Sequence, residues 1–356
     1  MSTDTPTPET DPEVIVRRSG RLGHLILNRP KALNSLTHGM VKTIKSTLEA
    51  WKDDASVSTV LVSGAGEKGL CAGGDIVSVY RSITAGRPED GDVFFADEYA
   101  MNSLIADYPK PYVAFMDGIV LGGGVGVSAH GSHRIVTERT RLGMPETGIG
   151  FFPDVGGAWL LAHTPSHVGL HMALTSSHVT GADALAFGFA DHVVPSERLD
   201  ELALALENTG ADEAIAAVVS DARDVPPAPL AQHVGWIEDC YSADTAEEIV
   251  AALQADGAPE AVAAAEAILG KCPTSVKITL DHVRGAGQAR SVHEVLAADY
   301  RLTYHLLRAH NFAEGIRALL VDKDRNPRWD PATLDQVDEE DINALFAPIA
   351  GRELTL

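Results

Sequence analysis

The chain has 356 residues, 50 of them acidic and 28 basic, for a formal charge of −22 at neutral pH. A surface this negative repels nucleic acid and anionic lipid, which are held by clustered Lys and Arg, and the sequence contains no basic tract. Its 45 % hydrophobic content is in the ordinary globular range and can bury a sizeable core.

The opening segment MSTDTPTPETDPE lacks the basic and apolar regions of a signal peptide, and no apolar run approaches the ~18 residues of a membrane span. Residues 1–12 cannot bury enough apolar area to order themselves and are expected to form a mobile tail. Cys71, Cys240 and Cys272 are too scattered for a disulfide framework or a thiolate zinc site. No HExxH motif occurs among the fourteen histidines, so no metal is assigned. Together these features predict a cytoplasmic protein in a reducing compartment.

Strand-like runs at Val14–Arg18 and His24–Asn28 flank Ser19-Gly20 and predict a hairpin. A helix follows, capped by Thr37, with Val41, Ile44, Leu48 and Trp51 at helical spacing and a polar stop at Asp53-Asp54. Short buried strands are predicted at Thr59–Ser63, Tyr112–Met116 and Arg134–Thr137, each beside a glycine cluster. Strands and helices therefore alternate to about residue 195, the pattern of an α/β layered fold. Beyond Val194-Pro195 the composition turns Ala-, Leu- and Glu-rich, with helical periodicity in Pro259–Leu269, Ser275–Val283 and Val292–Arg308. The expected organisation is a tail at 1–12, an α/β catalytic core at 13–198 and a mostly helical region at 199–356 packed on that core.

Glycine costs backbone entropy and is placed where a backbone must turn sharply or approach something closely. Three clusters stand out: Gly64–Gly66 leading to Cys71-Ala72-Gly73-Gly74-Asp75, then Gly122-Gly123-Gly124-Val125-Gly126, then Pro153-Asp154-Val155-Gly156-Gly157. The first two each follow an apolar strand and precede a potential helix start, which leaves free N–H groups at a positive helix terminus. Two such groups aimed at one point form an oxyanion hole; the alternative is tight turns with close packing. Gly124–Ala129 formally fits GxGxxA but lies outside an N-terminal βαβ unit, and no GxxxxGK[ST] loop occurs. Ser128 fails as a nucleophile elbow because His130 stands where the second glycine belongs, so Ser128 and His130 are expected to be packed helix residues.

Glu146 and Asp154 sit eight residues apart in the apolar, turn-rich stretch 144–154. Desolvation there raises a carboxyl pKa and equips it for proton transfer or attack, whereas helix capping and an Asx turn are the structural alternatives. Glu98, on a helix face, is expected to be simply solvated on residue type alone.

Four segments, LNRPKALNSL at 27–36, GAGEKGLCAGGDI at 64–76, KPYVAFMDGIVLGGGVG at 110–126 and MPETGIGFFPDVGG at 144–157, resemble the crotonase (enoyl-CoA hydratase/isomerase) superfamily. CPTSVKITL at 272–280, DYRL at 299–302 and the run 311–334 are similar to the C-terminal region of its hydrolase branch, which acts in valine degradation. The resemblance implies an α/β spiral core of ββα turns followed by a mostly helical C-terminal region, and an acyl-CoA substrate. Coenzyme A is then part of the substrate and no separate cofactor is expected.

The resemblance places the thioester oxygen between the N–H groups of Gly74 and Gly123, flanked by Ala72 and Gly73. It makes Glu146 either a nucleophile giving a mixed anhydride or the base for water. Asp154 would hold the substrate hydroxyl or protonate the thiolate, and Glu98 would orient the acyl end. Arg29, Lys31 and Ala32 would meet the CoA phosphates. The resemblance also allows a homo-oligomer.

Gly126 occupies the position of the first hydratase glutamate, an absence shared with the hydrolase branch. Gly143 and Gly148 replace common alanines, which would widen the pocket, and Asn311 replaces a common aspartate. The alternatives are a hydratase or dehydratase acting on another acyl-CoA, or a non-catalytic acyl-CoA-binding scaffold.

Overall fold

A computed structural model describes residues 11–221 and 223–356. The expected tail falls outside the described residues as far as residue 10; Pro12 already accepts a hydrogen bond from the Asn28 side chain at 2.9 Å. The first hairpin is present, with strand β1 (Val14–Ser19) antiparallel to β2 (Leu22–Leu27) and Gly20 at a φ of +54° in the turn. Helix α1 (His38–Lys52) starts where the Thr37 hydroxyl accepts the Met40 N–H at 3.1 Å, and it buries Met40, Val41, Ile44, Leu48 and Trp51 along one stripe.

From here the chain repeats one unit. Strands β3 (Thr59–Gly64) and β4 (Gly69–Cys71) lead to helices α2 (Ile76–Thr84) and α3 (Pro88–Ala106). Strands β5 (Tyr112–Met116) and β6 (Ile119–Leu121) lead to α4 (Gly123–Ser128), and β7 (His133–Val136) and β8 (Arg141–Gly143) lead to a 3₁₀ turn at Glu146–Ile149. The first strand of each pair joins one sheet and the second joins another, which produces the spiral of ββα turns. After α5 (Gly157–Ala162) and α6 (Val168–Thr175), β9 (His178–Thr180), α7 (Gly181–Ala186) and β10 (His192–Val193) complete the sheets. Their orders are β1-β2-β3-β5-β7-β10 and β4-β6-β8-β9.

The rest is helical: α8 (Leu199–Leu206), α9 (Ala211–Val218), α10 (Val234–Tyr241), α11 (Ala246–Asp256), α12 (Pro259–Leu269), α13 (Pro273–Ala286), α14 (Val292–Leu306), α15 (His310–Ile316) and α16 (Glu339–Leu345). α14 packs on α3 and α13 on α5. One hydrophobic core runs from Val14 to Ile342 and includes Leu296, Leu302, Leu306 and Phe312 beside Phe95, Tyr99 and Phe152. A second cluster sets Leu202, Leu206 and Ile215 against Leu61, Val113 and Ile135 on the other face of the large sheet.

Asn311 shows why an amide stands there. Its Nδ2 donates to the Asp330 carbonyl at 2.8 Å while its Oδ1 accepts the Asp330 N–H at 2.9 Å, a pair that a carboxylate, lacking a donor, cannot make.

Because helices after residue 198 supply part of the same core, a chain ending at residue 198 should show no cooperative thermal transition by circular dichroism. A sharp melt from that fragment would show that the α/β half carries its own stability.

Candidate active site

Three parallel strand ends deliver the site. β4 pairs with β6 and β6 with β8, all parallel, so the segments leaving their carboxyl ends lie side by side. Those segments are Ala72-Gly73-Gly74, Gly122-Gly123 and Met144-Pro145-Glu146, and open α/β sheets hold ligands at such strand ends. Gly73 at φ +106° and Gly122 at φ +50° make turns that side chains rarely tolerate. A Cβ on Gly123 would lie 3.2 Å from the Gly74 nitrogen, so the two glycines are in direct apposition. Gly123 opens α4, where its N–H has no partner inside the helix. The Gly74 N–H precedes Asp75, whose side chain caps α2 by accepting from the Ser78 N–H at 3.3 Å. Both N–H groups thus stand at the starts of helices, where partial positive charge favours a developing oxyanion.

The two glycines line a cavity of about 630 Å³ together with Ala72, Gly73, Glu98, Glu146 and Asp154. Ile76, Phe95, Leu121, Ile149 and Phe151 form its apolar walls, with Phe95 stacked on Phe151 at 5.5 Å.

Glu98 is not the solvated helix residue that its type predicts: it is only 1 % exposed. α3 is enclosed by α1, α4 and α14, so nearly every face of it is buried. Glu98 Oε1 would lie 2.8 Å from a Cβ on Gly123 and has no hydrogen-bond partner among the described residues. Glu146 opens the 3₁₀ turn but does not cap it with its side chain; Oε1 faces Gly122 and Oε2 is buried without a partner. Asp154 Oδ2 accepts the Tyr99 hydroxyl at 2.8 Å, and that hydroxyl also meets Thr303 Oγ1 at 2.7 Å. Tyr99 and Thr303 were not singled out from the sequence, although Tyr99 lies next to Glu98 on α3.

None of the three carboxyl groups forms an ion pair among the described residues, and all three are held above their ordinary pKa. Burial is the main cause for each. The Asp154 charge adds to it for Glu98, the Asp154 and then Glu98 charges for Glu146, and the Asp299 charge for Asp154. Burial also pushes the Cys71 thiol up to about 12, which leaves it inert beside the glycines.

Arg29, Lys31 and Ala32 do not line the cavity. The Arg29 guanidinium is taken up by Glu13 at 3.0 Å, Asp75 at 3.2 Å and the Ser35 carbonyl at 2.6 Å. Lys31 and Ala32 are exposed on the neighbouring loop. The cations that do line the cavity, Lys271 and Arg325, come from the helical half, where the sequence offered no motif to mark them.

Gly148 lines the cavity, and a Cβ there would meet only Ser176 Oγ at 3.8 Å. Gly143 does not widen it: a Cβ there would collide with His178 Cδ2 at 2.7 Å and the Ser177 carbonyl at 2.9 Å, because β8 lies tightly against β9.

Ser128 is buried at the end of α4, where its hydroxyl donates to the Gly124 carbonyl at 2.6 Å, and His130 bonds the Val155 carbonyl at 2.7 Å. His163, His167 and His171 recur at four-residue spacing, but the chain kinks at Ser166-His167, and His171 is buried against Tyr241. Among the described residues no three potential ligands converge on a metal position.

The enoyl-CoA hydratase/isomerase family profile matches residues 22–346. The chain is 40 % identical over 96 % of its length to the mitochondrial 3-hydroxyisobutyryl-CoA hydrolase of Rattus norvegicus, and equally to that of Homo sapiens, covering 90 % of each. Among solved structures, a carnitinyl-CoA dehydratase from Mycobacterium thermoresistibile is 49 % identical with a TM-score of 0.92, covering 96 % of this chain and 98 % of that one. An enoyl-CoA hydratase from Rhodobacter sphaeroides is 37 % identical with a TM-score of 0.91, covering 97 % and 100 %. The similar hydrolases are mitochondrial, which overturns the cytoplasmic placement expected from the N-terminal residues. That expectation rested on the lack of a secretory signal, which does not bear on other compartments. No helix among the described residues is long and apolar enough to cross a membrane.

The raised pKa of Glu98 has a signed consequence for stability. Between the ordinary glutamate value of about 4.3 and the higher native value, the unfolded chain gives up its proton first. Stability therefore falls with rising pH, by at most about 1.4 kcal/mol per unit for this group. Glu98→Gln should melt at a higher temperature than the parent at pH 7.5, and the difference should vanish near pH 4. Melting curves with the same gap at both pH values would contradict a buried, protonated Glu98.

Proposed function

The chain belongs to the enoyl-CoA hydratase/isomerase family, and from that premise we propose that it hydrolyses 3-hydroxyisobutyryl-CoA to 3-hydroxyisobutyrate and coenzyme A. The observation that carries this reading is the filling of the space beside Gly126. A hydratase of this superfamily positions water with two carboxylates, and Gly126 stands where the first would be. A Cβ there would fall 2.7 Å from Val155 Cβ and 2.8 Å from Asn102 Nδ2, so no acidic side chain fits. The remaining acids favour cleavage of the thioester over addition of water to a double bond.

In this reading the thioester carbonyl enters the Gly74–Gly123 gap, and its carbon is attacked either by a Glu146 oxygen or by water that Glu146 deprotonates. Both routes place negative charge on the carbonyl oxygen, where each N–H donor contributes about 3 kcal/mol to the transition state. When the C–S bond breaks, the electron pair leaves with sulfur and Asp154 supplies the proton. Direct attack leaves a mixed anhydride, which water then hydrolyses: its oxygen bonds to the acyl carbon, the Glu146 carboxylate leaves, and the proton that water loses passes to Asp154 and restores its acid form. The raised pKa of Asp154 suits a proton donor near neutrality. Glu98 would hold the hydroxyacyl end, Gly148 would leave room for its branch, and Lys271 and Arg325 would attract the CoA phosphates in an otherwise acidic molecule. Hydrolysis of this thioester serves valine degradation.

The names of the two solved structures keep hydration and dehydration as the second reading. Thiol release from (S)-3-hydroxyisobutyryl-CoA and loss of enoyl absorbance from crotonyl-CoA, followed side by side, separate the two. Faster thiol release is expected. Hydration at an equal or greater rate would overturn the hydrolase reading, and inactivity in both assays would favour a binding scaffold.

A further inference from the structure

Behind Asp154 lies a second buried acid. Asp299, on α14, is fully buried, and its Oδ2 accepts the Gly156 N–H at 2.8 Å. Its Oδ1 accepts a hydrogen bond from His282 Nε2, on α13, at 2.5 Å. Four residues further along α14, one helical turn on, Thr303 meets the Tyr99 hydroxyl that donates to Asp154. α14 therefore holds the Asp154 segment at two points, the Gly156 backbone on one side and the Tyr99 hydroxyl on the other. Val155 at φ +54° and Gly156 at φ +71° form a bend of left-handed residues, which is costly for Val155 and persists only where surrounding contacts impose it. His130 contributes a third hold, on the Val155 carbonyl.

We propose that Asp299, oriented by His282, is a positioning residue for the reaction: it fixes the Asp154–Gly156 bend and, through its negative charge, keeps Asp154 protonated as the donor to the leaving thiolate. The proposal rests on the reading of Asp154 as the acid in thioester cleavage.

Two carboxylates in a water-poor interior do not ionise together easily, so a charged Asp299 makes the loss of the Asp154 proton harder. Burial also holds Asp299 above its ordinary pKa, but the His282 imidazole and the Gly156 N–H pull it back down, which makes Asp299 the better placed of the two to carry the charge. The other titratable groups near Asp154 are Glu98 and Tyr99 on α3, Glu146 in the 3₁₀ turn, and His130 beyond α4. Glu98 and Glu146 also oppose ionisation, whereas the Tyr99 hydroxyl favours the charged form. Burial and then the Asp299 charge are the leading causes of the upward displacement of Asp154.

Asp299→Asn keeps the shape and an acceptor for Gly156 but removes the charge. With (S)-3-hydroxyisobutyryl-CoA it should lower kcat by about tenfold or more while KM changes less than about threefold. The alkaline limb of its kcat–pH profile should move to lower pH, because Asp154 loses its proton sooner. A merely structural Asp299 would lower the melting temperature and leave that limb in place, and this result would overturn the proposal. A wild-type protein that releases no thiol would instead sink the hydrolase reading on which it rests. If Asp299→Asn does not fold, carboxyl-carbon NMR of the wild type decides, with the Asp154 resonance identified by its loss in Asp154→Asn. Asp154 should titrate above Asp299, and the reverse order would overturn the proposal.

Discussion

Three nearly buried carboxyl groups, Glu98, Glu146 and Asp154, line one cavity, and none forms an ion pair among the described residues. Burying even one unpaired carboxylate costs several kcal/mol, so the three groups cannot all be ionised together, and a rigid frame must hold them in place. The rest of the architecture follows from that requirement. Parallel strands β4, β6 and β8 bring two glycine turns and the Glu146 turn to one edge, and α3 brings Glu98 and Tyr99 across from them. From the helical half, Lys271, Leu319, Leu320 and Arg325 line the cavity, while α14 braces the Asp154 segment through Asp299 and Thr303. The same burial that destabilises the acids moves their pKa values toward the range where proton transfer is efficient. Stability and reactivity are therefore linked through the same three groups.

Much of this was legible in the residues. The hairpin, the Thr37 cap and the stripe from Val41 to Trp51 follow from local spacing, and the structure has them at those positions. Glycine use pointed to the clusters around residues 73–74 and 122–126, because a strand end followed by glycine and a helix start leaves unpaired N–H groups, and the family resemblance then picked out Gly74 and Gly123 within them. Glu146 and Asp154 stood out because acids are rare in apolar, turn-rich stretches. The burial of Glu98 was not legible, since a helix enclosed on nearly all sides differs from a surface helix through its partners and not through one residue. The engagement of Arg29 with Glu13 and Asp75 was equally out of reach, as it depends on the hairpin and α2 meeting at the same loop. Gly143 and Gly148 look alike in sequence, yet only Gly148 borders the cavity, because β9 covers Gly143.

The helical half proves to be part of the site. Asp299 and Thr303 reach through α14 to the Asp154 bend, and Asn311 ties α15 to the chain at Asp330 by a reciprocal amide pair. A long-range contact of this kind has no periodicity and no motif. For Asp299 and Thr303, each more than a hundred residues from its partner, it emerges only when α14 settles on the spiral.

In the proposed reaction Glu146 carries the attack on the thioester, the glycine pair stabilises the oxyanion that forms, and the cavity walls hold the acyl-CoA. Glu146→Gln tests the first role directly, because the amide keeps the shape and loses both basicity and nucleophilicity. Thiol release from (S)-3-hydroxyisobutyryl-CoA should fall by about a thousandfold, with the melting temperature at least preserved and acyl-CoA still bound. A folded variant retaining more than about a tenth of the parent rate, a loss of less than about 1.4 kcal/mol, would contradict the account.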